Sequence, residues 1–149
     1  GMINILSGVL SFDHGTLVGG NFVLDMNTII NHDIESDKYK LKLENHLKSE
    51  DFFDTEQFPT SKLKITKVIK KEDSNYSIIA NLTIKGKTNS ITFDTNIQIK
   101  ENEFTSHAKI SIDRTKWGIV YNSGNFFKDL GDHLILDNIE FEVRLSSIK

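Results

Sequence analysis

The chain has 149 residues, predicted as one domain over 1–149 with room for a sizeable core, and 18 basic against 21 acidic residues leave a net charge of −3. That balance argues against a nucleic-acid binder, which needs basic patches, and no apolar run is long enough to cross a bilayer as a helix. The absence of cysteine excludes disulfides, thiolate metal sites and a cysteine nucleophile.

Gly1 ahead of Met2 reads as a tag-cleavage scar, and no charged segment followed by an apolar one marks an export signal. Ile3–Phe12 and Leu17–Asp25 are predicted strands of a hairpin turning at Asp13-His14-Gly15-Thr16. Gly19–Gly20 inside the second strand predicts a bulge or sharp bend. Ser36–Ser49 breaks the strand rhythm: Ser36 stands as an N-cap, Asp37 sits in the first turn, and Tyr39, Leu43 and Leu47 share one helical face. Tyr39, Leu41 and Leu43 also alternate like a strand, but the cap and Leu47 fit only the helix.

Period-two alternation governs the rest. Ser61–Lys70 is a strand, Lys67–Lys71 reads as its solvated end, and no lysine or arginine stripe stands out. Tyr76, Ile78, Ala80, Leu82 and Ile84 share one face of Tyr76–Lys85. Ile91, Phe93, Ile97 and Ile99 share a face, as do Phe104, Ala108, Ile110 and Ile112, and then Ile135, Ile139, Phe141, Val143 and Leu145. One dry and one wet face per strand, with short polar connectors, predict an antiparallel meander. A second helical turn is expected near Gly124–Gly131. The fold class is therefore all-β with one α-helix and a short helical turn. A closed up-and-down barrel of about eight strands fits best; a sandwich is the alternative.

Chemistry-bearing motifs are scarce. His14, His32, His46, His107 and His133 show no metal-ligand spacing, and there is no nucleophile elbow, P-loop or dinucleotide fingerprint. Asp113–Arg114 reads as a structural ion pair. The unusual feature is aromatic: Phe52, Phe53, Phe58, Phe126 and Phe127, with Trp117, fall in connecting segments. They either plug the ends of the barrel or rim an apolar cavity.

The stretch His46–Thr60, HLKSEDFFDTEQFPT, closely resembles the motif of the YceI-like, or polyisoprenoid-binding, family. Asn81–Asp94 (NLTIKGKTNSITFD) resembles its second hairpin and Ala108–Asp132 its IDRT-containing tail, in the same order. The resemblance implies a lipocalin-like antiparallel β-barrel that holds an isoprenoid or other long apolar lipid without catalysis and without a cofactor. On that basis Phe22, Ile78, Leu82, Phe93, Ile97, Phe104, Ile110, Ile139 and Phe141 are candidate wall residues, and Phe53, Phe58, Trp117 and Phe127 hold the ends. Family members begin with further strand residues before the segment matching Ser7–Phe12, and many carry an export signal for a periplasmic or secreted setting. A barrel lacking that strand has an open seam, which a homodimer could close; a filled barrel that self-associates through this edge is the rival reading.

Overall fold

The computed structural model describes residues 2–14, 16–30, 36–100, 103–124 and 136–148. Seven strands form a single antiparallel sheet in chain order. They are β1 (Met2–Asp13), β2 (Thr16–Ile30), β3 (Thr60–Lys70), β4 (Asn75–Ile84), β5 (Lys87–Lys100), β6 (Glu103–Asp113) and β7 (Asn138–Ile148). One helix, α1 (Asp37–Leu47), lies between β2 and β3, and a 3-10 turn (Arg114–Trp117) follows β6. The expected second turn near Gly124–Gly131 falls largely outside the described residues.

The alternation predicted for the strands becomes an alternation of burial. In β4, Tyr76, Ile78, Ala80, Leu82 and Ile84 are all buried while the residues between them are not. The β4–β5 connection is a two-residue turn. Lys85 and Gly86 take φ of 52° and 73°, the left-handed pair of a two-residue turn whose twist matches the flanking strands. β5 therefore pairs from Lys87 onward.

The sheet curls. Register shifts interrupt the β1–β2 ladder between Ile5 and Ser7 and between Ser11 and Phe12, the latter beside Gly19, and the β3–β4 ladder between Ile65 and Lys67. Each bulge adds local twist. The curl brings Phe12 of β1 against Phe104 of β6, ring centroids 6.0 Å apart in an edge-to-face contact.

The curl does not become a closed barrel: β1 pairs only with β2 and β7 only with β6 among the described residues. Seven strands stand where alternation alone predicts a closed barrel of about eight, and the open side is the seam that the family resemblance implies. In an antiparallel meander each strand reverses its predecessor, so β1 and β7 run in the same direction and cannot complete an antiparallel ladder between them.

Two further expectations change. Tyr39 is 61% exposed and Leu41 58%, so α1 leans on the sheet through its C-terminal end, where Leu47 packs against the core. A lysine stripe does exist. Lys62, Lys64 and Lys67 stand opposite Thr83, Asn81 and Ile79 on the outer face of β3.

Candidate functional site

The candidate site is the apolar inner face of the curled sheet and the groups that close its ends. At one end the chain makes its long connections, through α1 and the following loop and through the segment after β6. At the other, β1–β2, β3–β4 and β5–β6 are joined by short turns.

The loop after α1 is folded by its own backbone bonds. Phe53 donates to the Leu47 carbonyl at 3.0 Å, Asp54 to Ser49 at 2.8 Å, Thr55 to Lys48 at 2.9 Å and Phe58 to Asp54 at 2.8 Å. Met26 of β2 then donates to the carbonyl of Pro59 at 2.9 Å. This framework turns Phe52 and Phe53 inward, leaving them 3% and 6% exposed. The phenylalanines in this charged loop act as a plug. Phe58 is only half-buried and lies against Gly86.

The 3-10 turn completes that plug. The Asp113 carboxylate caps it by accepting from the Thr115 N–H at 3.0 Å. Gly118 ends it at φ 78°. Trp117 is 1% exposed and its indole N–H donates to the Leu82 carbonyl at 2.9 Å.

Arg114 is also 1% exposed. Its guanidinium donates to the carbonyls of Leu136, Ile119 and Tyr121 at 3.0, 2.9 and 2.8 Å, and its carboxylate neighbour is Asp137 at 3.9 Å. Asp113, the partner expected from the sequence, is used for the cap. Burial pulls the Arg114 pKa below the usual arginine value, against the opposing pull of Asp137 and Asp113. The guanidinium also stands 5.5 Å from the centre of the Phe52 ring. Phe52 in turn meets His46 and Tyr121, at centroid distances of 5.0 and 5.7 Å.

Between the ends, burial grades across the sheet. Ile78, Leu82, Ile97, Phe104 and Ile110 are buried together in one cluster, with Phe53 and Trp117. Phe22 is buried with its ring over Gly8. Phe93 and Ile139 are half-buried and packed against the cluster. The inward residues of the two edge strands are likewise half-buried: Ile3, Leu10 and Phe12 from β1, Val143 and Leu145 from β7. The side chain of Phe141 and the whole of Phe127 lie outside the described residues; the backbone of Phe141 pairs with Ile110. Sequence reasoning missed Leu17, Met26 and Ile119, which are buried without belonging to a clear alternating run.

The polar chemistry is peripheral. Two open grooves of about 490 and 410 Å³ on the β4–β7 side share Asn96 and His107. His107 pairs with Glu142, which Arg144 also contacts at 3.1 Å; these contacts hold the Glu142 carboxyl below the ordinary carboxylate range. His46 bonds Asp51 at 2.9 Å, but the nearby Ser49 hydroxyl is committed to the His46 carbonyl. No cluster of three metal-binding side chains occurs among the described residues, and no described helix is long and apolar enough to cross a membrane.

A meander sheet curled about an apolar interior, with aromatic groups at both ends and one lateral seam, defines a lipocalin-like β-barrel left open along one side. Residues 1–147 match the family model described as the YceI-like domain, and the chain belongs to that family. A UPF0312 protein of Vibrio vulnificus strain YJ016 is 32% identical over 94 residues, 62% of this chain and 46% of that protein. One from Staphylococcus aureus strain USA300 is 33% identical over 106 residues, 66% and 57% respectively. The chain thus spans about half the length of these curated relatives. Among solved structures, Burkholderia cenocepacia BcnA superposes with a TM-score of 0.74 at 18% identity, over 95% of this chain and 82% of its own. A Campylobacter jejuni YceI protein gives 0.76 at 17% identity, over 99% and 84%. These two likenesses support the fold.

Proposed function

We propose that the protein is a non-catalytic carrier that sequesters an isoprenoid or another long apolar chain on the inner face of its sheet, admitting it along the seam between β1 and β7. One observation carries this reading: aromatic groups occupy both ends, while the half-buried inward residues include those of the two edge strands. An apolar chain laid along the seam covers Leu10, Phe12, Ile139 and Val143. Phe22, Ile78, Leu82, Phe93, Ile97, Phe104 and Ile110 form the wall behind it, and Phe53, Phe58 and Trp117 hold one end. Each buried methylene contributes about 0.8 kcal/mol. Ten carbons therefore supply roughly 8 kcal/mol, against an association cost of at least about 4 kcal/mol. No directional polar group is needed, which accords with the peripheral position of the histidine–carboxylate pairs. Organic extraction of purified protein followed by mass spectrometry should yield a long-chain lipid. A protein that yields none, and binds neither an isoprenoid nor a fatty-acyl probe, rules the reading out.

Self-association through the same seam is the second reading. It is favoured by β1 itself, which runs from Met2 to Ser11 without a charged residue or proline, the residues that normally protect a sheet edge. Light scattering across a concentration series separates a dimer from a monomer.

A further inference from the structure

We propose that the outer face of β2–β4 is a docking surface for an anionic lipid bilayer. The proposal starts from the lysine stripe. Lys62, Lys64 and Lys67 are exposed and make no ion pair or side-chain hydrogen bond among the described residues. Their cross-strand neighbours carry no charge: Val23 and Asn21 on β2, Thr83, Asn81 and Ile79 on β4. One strand further, β5 presents Thr88, Ser90 and Thr92 in the same rows.

Charges of both signs are normally interspersed over a protein surface, and two contacts of this chain follow that rule. Lys71 pairs with Asp94 at 3.1 Å, and Glu142 sits between His107 and Arg144. Adjacent like charges on one strand face repel. On a chain of net charge −3, three unpaired cations set directly opposite hydroxyls, amides and aliphatics, with Asp25 one row beyond Lys62, are therefore a segregated feature. An external anionic surface supplies the missing countercharge.

The neighbours identify which anion. Val9 of β1 stands opposite Asn21 in the row of Lys64 and is 64% exposed. Leu6 and Val18 are 62% and 53% exposed on β1 and β2, and Ile69 on β3 is 43% exposed. Aliphatic side chains beside lysines suit the boundary between headgroups and acyl chains, where lysine stems lie along apolar surface while the ammonium stays in water. A nucleic acid would gain nothing from these aliphatics, and the face lacks the arginines and stacking aromatics that such partners favour. Docking in this way sets the β1 edge beside the bilayer, so an apolar chain could leave the lipid without crossing water. The docking itself does not require any bound chain.

The test is flotation of the protein with phosphatidylcholine vesicles prepared with and without phosphatidylglycerol. The wild type should bind only the anionic vesicles and should release as salt rises. At about a kilocalorie per lysine near an anionic surface, the triple variant K62Q/K64Q/K67Q should bind roughly a hundredfold more weakly. The helix variant K38Q/K40Q/K42Q, with the same change in net charge, should bind like the wild type. Equal binding to neutral vesicles, or equal losses in the two triple variants, overturns the proposal. So does lysine-dependent binding to duplex DNA without binding to vesicles, which would assign the stripe to a polyanionic macromolecule.

Discussion

The indole N–H of Trp117 donates to the carbonyl oxygen of Leu82 at 2.9 Å, tying the 3-10 turn beyond β6 to the central strand of the sheet. The contact is long-range, wholly buried, and joins the end plug to the wall. Truncation of a buried tryptophan to alanine costs about 3–5 kcal/mol. Trp117→Phe, which keeps one aromatic ring but removes the donor and the five-membered half of the indole, should cost about 1–3 kcal/mol. Urea unfolding followed by circular dichroism measures both. A Trp117→Phe protein as stable as the wild type would show that the hydrogen bond is dispensable.

The guanidinium of Arg114 gathers carbonyls from three separate positions, Leu136, Ile119 and Tyr121. A lysine offers one ammonium in place of a planar fork and leaves at least one buried carbonyl without a donor. Arg114→Lys is therefore expected to lose about 3 kcal/mol. Hydrogen exchange should show the loss first in the segment 118–124 and at the start of β7, before β4.

What the sequence made legible follows a physical rule. Alternation located β4 to β7 because each has one wet face, the Asp13–Thr16 turn signal marked the β1–β2 hairpin, and HLKS followed by two phenylalanines marked the plug. Alternation alone pointed to a closed barrel, because it does not report the strand number and direction on which closure depends; the open seam was legible only through the family resemblance. The lysine stripe was hidden by a bulge. Simple alternation groups Lys62, Lys64 and Thr66, but the irregularity between Ile65 and Lys67 in the β3–β4 ladder shifts the register by one and moves Lys67 onto the face of Lys62 and Lys64. The clamp role of Arg114 was hidden for a different reason: its partners include Leu136 and Asp137, more than twenty positions away.

Gly8 and Phe22 form a matched pair on β1 and β2. A methyl group on Gly8 would run into the Phe22 ring, so Gly8→Ala should destabilise the fold by about 1–3 kcal/mol. Because the clash is with one side chain, Phe22→Leu should recover part of the loss, and a double-mutant cycle should give a favourable coupling. Additive effects would mean that the strain lies in the backbone.

Glu142 makes a pH-dependent contribution. Its folded-state pKa is lowered, first by the hydrogen bond with His107 and then by Arg144. A depressed carboxylate pKa adds stability that is present above the unfolded-state value and disappears as pH falls through the folded-state value. The stability difference between wild type and Glu142→Gln should therefore be present at neutral pH and shrink below the ordinary carboxylate range. A difference that grows on acidification contradicts this sign.

The seam separates a carrier from a filled barrel. Val143 lies half-buried on the inward side of β7, whereas Thr105 lies on the opposite, exposed side of β6. If apolar chains lie along the seam, Val143→Asn puts an amide against the chain and should weaken binding of a fluorescent isoprenoid probe about tenfold or more. Thr105→Asn should leave it unchanged. Hydrogen exchange adds an independent readout: the outward amides of β1 and β7 should exchange quickly in the lipid-free protein, while β4 stays protected. Adding the probe should slow exchange on the two edge strands alone. Equal probe binding by the two variants, with edge amides already protected in the lipid-free protein, assigns the seam to protein–protein pairing.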